Sequence, residues 1–580
     1  MSLTNALYNT FAGINTAEVQ ISVVSENVTN ADKAGYTRKQ YDLQYSTAGG
    51  TSVPISGTIV SANADPYLLE EVIEDITAAA ESQVKADYLG FLSDQLGTTE
   101  GSTTISSSVS DFAASLDQLS VTPEDDALKS KVVSDAEAVA SQLRNASQNV
   151  QSLRTQADQA IDSTVDRIND LVIELDTLNK QIATAQVQGL TPANLEDERN
   201  AALQELAALV DVQYFINSNN ELQIYMQGYS LLSSQPNLLS YEAAGSLTGD
   251  VSYPAQLDGI MLNGTDITGS VKGGELGALV ELRDVTLVEE QDKLDEYATV
   301  LMDQLNTLSN QGSSSPPQSQ LTGDLDGLTG ADAFSGTGSV RIAVLDQAGV
   351  VTNYADLNIA AYATVSDVIN DINAQLGPDV TASLNADGEL VIAANNAGEG
   401  VAINELDSDV GADNRGFSHY FGLNNIYDGE DASDIVVSQY LQDDFAALGI
   451  TRLSDDAGLA VGDLGVAPGA GEVAKELNEQ FFVNVSFAQA GNFPALTSSL
   501  SDYGNKIMSD VAGRASDALQ ESSTNSLILG QTLTSLQNAE GVNIDEEMAH
   551  LVDLEAKYEA AATLLSVLQE MYDTLISSVR

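Results

Sequence analysis

Between Leu128 and Ile182 an apolar residue recurs every three or four positions, and no Gly or Pro interrupts before Gly189. Thr122-Pro123 offers an N-cap and a first-turn proline, and Glu124, Asp125 and Asp126 suit the positive end of a helix dipole. The run predicts one helix of about 65 residues, roughly 95 Å long. That is several times the ordinary helix length. A helix of this reach cannot hide its stripe inside a compact domain and must lie along other long helices. Matching stripes occur at 195–209, 275–309 and 496–537. They are hundreds of residues apart, so the expected helical rod is built from both halves of the chain.

Both ends of the chain carry single-stripe helix patterns. At the start, Leu3, Leu7, Phe11, Ile14, Ala17, Ile21, Val24 and Val28 follow one another at helical spacing until Asn30, Asp32 and Gly35 break the pattern. At the finish, Ile544, Met548, Leu551, Tyr558, Ala562, Leu565, Leu568, Tyr572, Leu575 and Val579 mark one face. Asn543 can cap this second helix, with Asp545, Glu546 and Glu547 in its first turn. It spans about 38 residues, roughly 57 Å. Neither helix has a compact domain of its own. Each is expected to cover one apolar side on the other and the remainder on neighbouring subunits, ordering on assembly. Head-to-tail contacts of that kind make rings or filaments.

The middle is mixed. Residues 41–64, with Gly49-Gly50, Pro54 and Gly57, read as extended or irregular chain. Asp65-Pro66 opens a helix running to about Leu96, and another starts near Ile105. Short alternating runs at 212–216 and 221–225, with Asn219-Asn220 between them, predict strands within a β-rich stretch at 210–272. Residues 311–490 form an acidic insertion that opens on a Gly312, Ser313, Ser314, Ser315, Pro316, Pro317 run of linker composition. Inside it lie strands at 339–344, 382–384 and 390–392, the turn signal Asp387-Gly388, and a helix near 364–376. The expected fold class is mainly α with β insertions. Terminal coiled helices take 1–64 and 538–580, and the rod takes 65–310 and 491–537. One or two outward β-rich subdomains take 311–490.

A chain of 580 residues is too long for one core, and 43% hydrophobic content supports three to four. The formal net charge of −63, from 85 acidic and 22 basic residues, opposes binding to nucleic acid or to an anionic membrane. With no Cys and only His419 and His550, there is no thiol nucleophile and no His/Cys metal centre. Asp324, Asp326 and Gly327 faintly suggest a calcium loop, but the rest of the ligand spacing is missing. No base, nucleophile and orienting group can be assembled, so neither catalysis nor a cofactor is expected. Arg38 and Lys39 read as surface charges. Residues 1–30 lack the basic start and unbroken apolar run of a cleaved leader, and no stretch approaches the ~20 apolar residues of a membrane span.

Residues 25–38 read Ser25-Glu26-Asn27-Val28-Thr29-Asn30, then Ala31 to Ala34, then Gly35-Tyr36-Thr37-Arg38. This resembles the Asn-Asn-Ile-Ala-Asn…Thr-Pro-Gly-Tyr-Ser-Arg segment of bacterial flagellar rod, hook and hook-associated proteins. Glu26 stands where the family has its first Asn, and Asp32-Lys33-Ala34 where Thr-Pro is usual. Gly541-Val542-Asn543-Ile544-Asp545-Glu546-Glu547 is similar to the family's Gly-Val-Asn-Leu-Asp-Glu-Glu. Asp197 to Asn200, Leu209 to Val212, Gly273 to Leu279, Arg283-Asp284, Tyr558 to Ala561 and Glu570 to Leu575 fit as well. The pattern sides with the hook-associated members over hook protein. The resemblance implies a structural protein that forms a ring-like zone of its own copies on the distal hook. It implies contacts with hook protein on one side and with the next hook-associated protein or the filament on the other. It also implies passage through the flagellar type III export apparatus, with a cytoplasmic chaperone masking the C-terminal helix. The implied contact residues are the two stripes (Leu3, Leu7, Phe11, Ile14, Ile21, Val24, Val28; Leu551, Tyr558, Leu565, Leu568, Tyr572, Leu575) and the turn residues Asn30, Gly35, Tyr36 and Arg38. Alternatives are hook protein or the third hook-associated protein, or a secreted adhesin whose insertion binds a ligand.

Overall fold

The computed structural model describes residues 3–33, 35–48, 51–61, 65–97 and 104–579; the Gly49-Gly50 pair lies outside them. Helix α1 (Leu3–Asn30) leads to an antiparallel ribbon of β1 (Lys39–Ala48) and β2 (Thr51–Ser61), so the stretch read as extended or irregular is a paired hairpin. Helix α2 (Pro66–Leu96) starts where Asp65 predicts, the carboxylate accepting from the backbone N–H of Tyr67 at 3.0 Å. A capping box between Thr104 and Ser107 opens α3 (Ile105–Val121).

The long helix is α4 (Asp126–Val187), 62 residues and about 93 Å. Its cap is not the Thr122 expected from sequence. Helix α3 runs to Val121, which places Thr122 at the end of α3 and Pro123 in the turn. Asp125 then caps α4, accepting from Ala127 N–H at 2.9 Å. Beyond α4 come α5 (Ala193–Leu209) and a meander of β3 (Gln213–Ile216), β4 (Leu222–Met226) and β5 (Tyr229–Leu232), with Asn220 left-handed at the first turn. The 275–309 stripe is α6 (Gly274–Glu281) and α7 (Leu287–Ser309), joined without a break by a π turn at Leu282–Thr286. The last elements are α8 (Val365–Leu376), α9 (Phe417–Phe421), α10 (Gln439–Asp443), α11 (Glu472–Gln480), α12 (Leu500–Glu540) and α13 (Ile544–Val579). Residues 496–499, expected as helix, form a strand paired with Asn484–Phe487; Ser499 then caps α12 through the Asp502 N–H.

Helix α4 is the wall shared by two cores. Its first half (Val132, Val139, Leu143, Val150) packs with α3, α7, α11 and α12. Its second half (Ile161, Ile168, Leu171, Leu175) packs with α2, α5, α6 and the β-rich segment. Each such side chain contributes about 1.5–3 kcal/mol by leaving water. Where the cores meet, Arg283 Nη1 donates to Asp158 Oδ1 at 2.9 Å, and Arg154 donates to the carbonyls of Arg283, Thr248 and Val251. The π turn supplies the extra residue that aims Arg283 inward.

The insertion does not stand apart as a whole. Segments 426–450 and 473–487 share the core of α3, α4 and α7. A separate core joins α8 to a three-stranded sheet (Ser339–Asp346 flanked by Val351–Asn358 and Glu399–Asn404) and to the Val380–Leu384/Leu390–Ala394 hairpin. Leu453, Leu459 and Val466 cover that sheet's other face. The expected linker at 312–317 is packed chain. Ser313 and Ser314 are buried, Ser313 N–H bonds Thr451 O at 2.6 Å, and Lys129 Nζ bonds Ser315 O at 2.9 Å. Small residues serve close approach here, since a Cβ on Gly312 would lie 2.7 Å from Gly449 O. Among the described residues, no helix is long and apolar enough to cross a membrane.

Candidate functional site

The two terminal helices pair antiparallel. Thr4 meets Tyr572, Glu18 meets Tyr558 and Asn27 meets Glu547, so one register runs the length of the pair. Of the predicted α1 stripe, Val24 is buried; Leu3, Leu7, Ile14, Ile21 and Val28 are half-buried; Phe11 is 54% exposed. Of the α13 stripe, Leu568 is buried and Leu551, Leu565 and Tyr572 are half-buried. Tyr558 and Leu575 are exposed. The pair therefore consumes only part of the apolar surface. Val552, Leu564, Val567, Met571 and Leu575 form a second face of α13 that nothing covers among the described residues. Sequence reasoning named only Leu575 of this face and placed it on the single stripe, although Leu564, Val567, Met571 and Leu575 keep helical spacing of their own.

At its base the pair is tied to the rod by a buried polar knot. Asn27 is fully buried. Its Oδ1 accepts from Lys39 N–H at 2.9 Å and Tyr36 O–H at 3.0 Å, and its Nδ2 donates to Lys39 O at 2.8 Å and Glu547 Oε2 at 3.0 Å. Arg38 Nε donates to Glu547 Oε1 at 2.7 Å. Its backbone N–H donates to Glu540 O at 2.7 Å. Lys39 is not the surface charge expected: it is 2% exposed, and its Nζ donates to Asp197 Oδ2 at 2.6 Å and Ala193 O at 3.0 Å. Thr37 Oγ1 donates to Asp197 Oδ1 at 2.7 Å. The counter-charge comes from α5, a separation in sequence that no local pattern reveals. Burial pushes the Lys39 ammonium below its ordinary value, partly offset by Asp197. Burial also raises the Tyr36 phenol, with Glu26 adding to it.

Gly35 takes φ +74 to turn the chain into this knot. Asn30 closes α1, its carbonyl accepting from Lys33 N–H at 2.9 Å. Glu26, the residue that departs from the resemblance, accepts from Asn194 Nδ2 at 2.7 Å. The knot thus brings Asn27, Asp197 and Glu547 together, one residue from each of three segments that carried the resemblance.

The other singled-out groups have structural settings. His419 is buried against Thr307, and burial, with Arg415 nearby, holds its imidazole down to about 4. Asp324 accepts from Asn425 Nδ2 at 2.5 Å. Among the described residues, no group of three or more His, Asp or Glu side chains could hold a metal ion.

Residues 93–334 match the family described as the flagellar hook-associated protein FlgK helical domain, and residues 537–578 match the flagellar basal body rod FlgEFG protein C-terminal family. Flagellar hook-associated protein 1 of Escherichia coli K12 is 23% identical, covering 99% of this chain and all of that protein. That of Salmonella typhimurium LT2 is also 23% identical, with the same coverage. That of Bacillus subtilis 168 is 27% identical over 36% of this chain and 45% of its own length. The structure of the flagellar hook junction protein FlgK from Burkholderia pseudomallei superposes with a TM-score of 0.50 at 16% identity, over 80% of this chain and 99% of that one. It shares the fold: long helices with small sheets set between them.

Proposed function

We propose an assembly role for the two ends of a chain that belongs to the flagellar hook-associated protein 1 family and is a structural axial protein of the hook–filament junction. The α1–α13 pair is the assembly element, and the rod behind it sets the distance to the β-rich units. The carrying observation is the uncovered face of α13. Val552, Leu564, Met571 and Leu575 are exposed on a helix already paired along its length with α1. Such a patch calls for a protein neighbour.

In this reading the stripes take the same pair on adjacent copies around a ring, one subunit's Phe11 and Leu575 packing on the next. Hook protein lies on one side and the next hook-associated protein or the filament on the other. The domains are 1–64 with 538–580, then 65–310 with 491–537, then 311–490, whose β-rich unit faces outward while 426–450 and 473–487 join the rod core. Before export, a cytoplasmic chaperone covers the C-terminal helix, because that helix carries the face most prone to premature association. The polar knot keeps the pair in register on the rod while its neighbours dock.

Deleting 1–35 or 545–580 tests this. Cells carrying either deletion are expected to show hooks without filaments by electron microscopy, with flagellar subunits shed into the medium and the central domains still folded. Filaments attached through a normal junction would refute the reading.

A further inference from the structure

In the rod core a buried ammonium sits between two carboxyl groups. The side chain of Lys293 on α7 is 0% exposed. Its Nζ lies 2.7 Å from Glu290 Oε2, one turn back on the same helix, and donates to Asp510 Oδ2 of α12 at 2.7 Å. The ring of Phe493 lies 4.8 Å from Nζ and stands edge-on to Tyr503, which stacks on Tyr297; both tyrosines are fully buried. The two carboxyl groups differ in their access to water. The Glu290 side chain is 2% exposed, and Arg514 Nη1 donates to its Oε1 at 2.7 Å. Its Oε2, the oxygen beside Nζ, accepts no aligned hydrogen bond. The Asp510 side chain is 24% exposed, and Asn492 Nδ2 donates to its Oδ2 at 3.5 Å.

The contact with Oδ2 puts the Asp510 carboxyl carbon no more than about 4 Å from Nζ. Bound groups react from about 3–3.5 Å, and holding them there replaces an encounter between free molecules. In water, lysine and aspartate stay apart as ions because hydration favours both charges. Here the ammonium has lost its hydration, and an ion pair in such a place carries a large desolvation cost. Joining the two as a neutral amide removes both charges, and the open side of Asp510 gives the released water a way out. Burial raises the Glu290 carboxyl above the ordinary glutamate range, against the pull of Lys293 and Arg514, which suits it to take a proton.

We propose that Lys293 and Asp510 join in an intramolecular isopeptide bond once the chain has folded, with Glu290 carrying the protons. The Lys293 Nζ–Asp510 Cγ bond forms, and one Asp510 Cγ–O bond breaks. Glu290 takes one proton from the ammonium, and the neutral amine attacks Cγ. That proton and a second from Nζ pass through Glu290 to the departing oxygen, which leaves as water. The amide nitrogen keeps the third proton, and Glu290 ends ionised as it began. The step needs no oxidant and no cofactor. The bond ties α7 to α12 across 217 positions and closes the loop that contains the whole 311–490 stretch. A chain without Cys cannot make such a staple from a disulfide. Lys85 is the internal comparison. It also lies 2.7 Å from two carboxylates, Glu81 and Glu281, but those side chains are 32% and 51% exposed, so water keeps that cluster ionic.

Intact-mass spectrometry of the full-length chain, folded and then denatured, tests the bond. The wild type should weigh about 18 Da, one water, less than its sequence requires. A digest should yield one linked pair of peptides, joined at Lys293 and Asp510. Lys293→Met, Asp510→Ala and Glu290→Gln should each restore the full mass, the last with the helical circular dichroism of the wild type. A wild type at full sequence mass would overturn the proposal. So would a missing water located elsewhere, in an aspartyl succinimide or at Lys85, or one still missing from Lys293→Met. Should the variants fail to fold, the wild-type mass and the linked peptide decide by themselves.

Discussion

Lys39 shows how much one residue depends on a distant partner. Its ammonium sits beneath the ribbon with Asp197, Thr37 and Ala193 O around it, and the Tyr36 ring lies 5.4 Å away. Removing one member of such a buried pair leaves the other charge stranded, at a cost of about 3–5 kcal/mol. Asp197→Asn is therefore expected to abolish exchange protection over 26–39, while Lys39→Met combined with Asp197→Leu recovers most of it. Asp295 makes the converse case. Burial is the main cause that lifts its carboxyl to about 6, with Asp431 adding to it, although Gln291 Nε2 donates to it at 2.8 Å. The folded state binds more protons than the unfolded state between about pH 4 and 6, so stability falls across that window as pH rises. Asp295→Asn should leave melting unchanged near pH 4. At pH 7 it should raise stability by roughly 1–2 kcal/mol, discounted for the partial exposure of the site.

At the scale of elements, α13 has two faces with different duties. Leu554 is buried against α1, so Leu554→Ala should weaken the pair by about 2–5 kcal/mol and speed exchange in α1. Met571 and Leu575 point away from it and are exposed. Met571→Asp with Leu575→Asp should leave the helical circular dichroism and melting of the monomer within about 0.5 kcal/mol of wild type. The same pair of changes should block incorporation at the hook tip, read by filament counts. If incorporation survives, the uncovered face is not the docking surface. The stripe of α4 was readable because its period persists for many turns. Residues 496–499 were misread because a four-residue strand feeding a helix continues the same apolar rhythm. Thr122 was misassigned as the cap because Asp125 fits the same role three residues later.

For the whole molecule, a net charge of −63 makes the folded state repel itself. The Debye length contracts from about 30 Å to about 10 Å between 0.01 M and 0.1 M salt. Melting of the full chain should rise by several degrees over that range, equally in NaCl and KCl, because screening is indifferent to the cation. A specific dependence on one cation would point to a bound ion instead. The β-rich unit shows where domain organisation escaped a linear reading. The chain passes between unit and rod at 311–319, 424–426, 450–453 and 466–472, so a stretch that looks like one insertion contributes to two cores.

Local periodicity, caps and turn residues determined the long helices, a minority of the strands and the pairing of the chain's two ends, because those signals act over a few residues and repeat. The signature segments around Asn27, Asp197 and Glu547 were legible as a family resemblance but not as a single site. Only the tertiary fold decided that they meet in one buried knot, that Lys39 lies inside it, and that α13 keeps a second apolar face uncovered. Burial is a property of what comes to lie opposite a side chain. Partners more than 150 positions apart in the sequence leave no periodic trace of that choice.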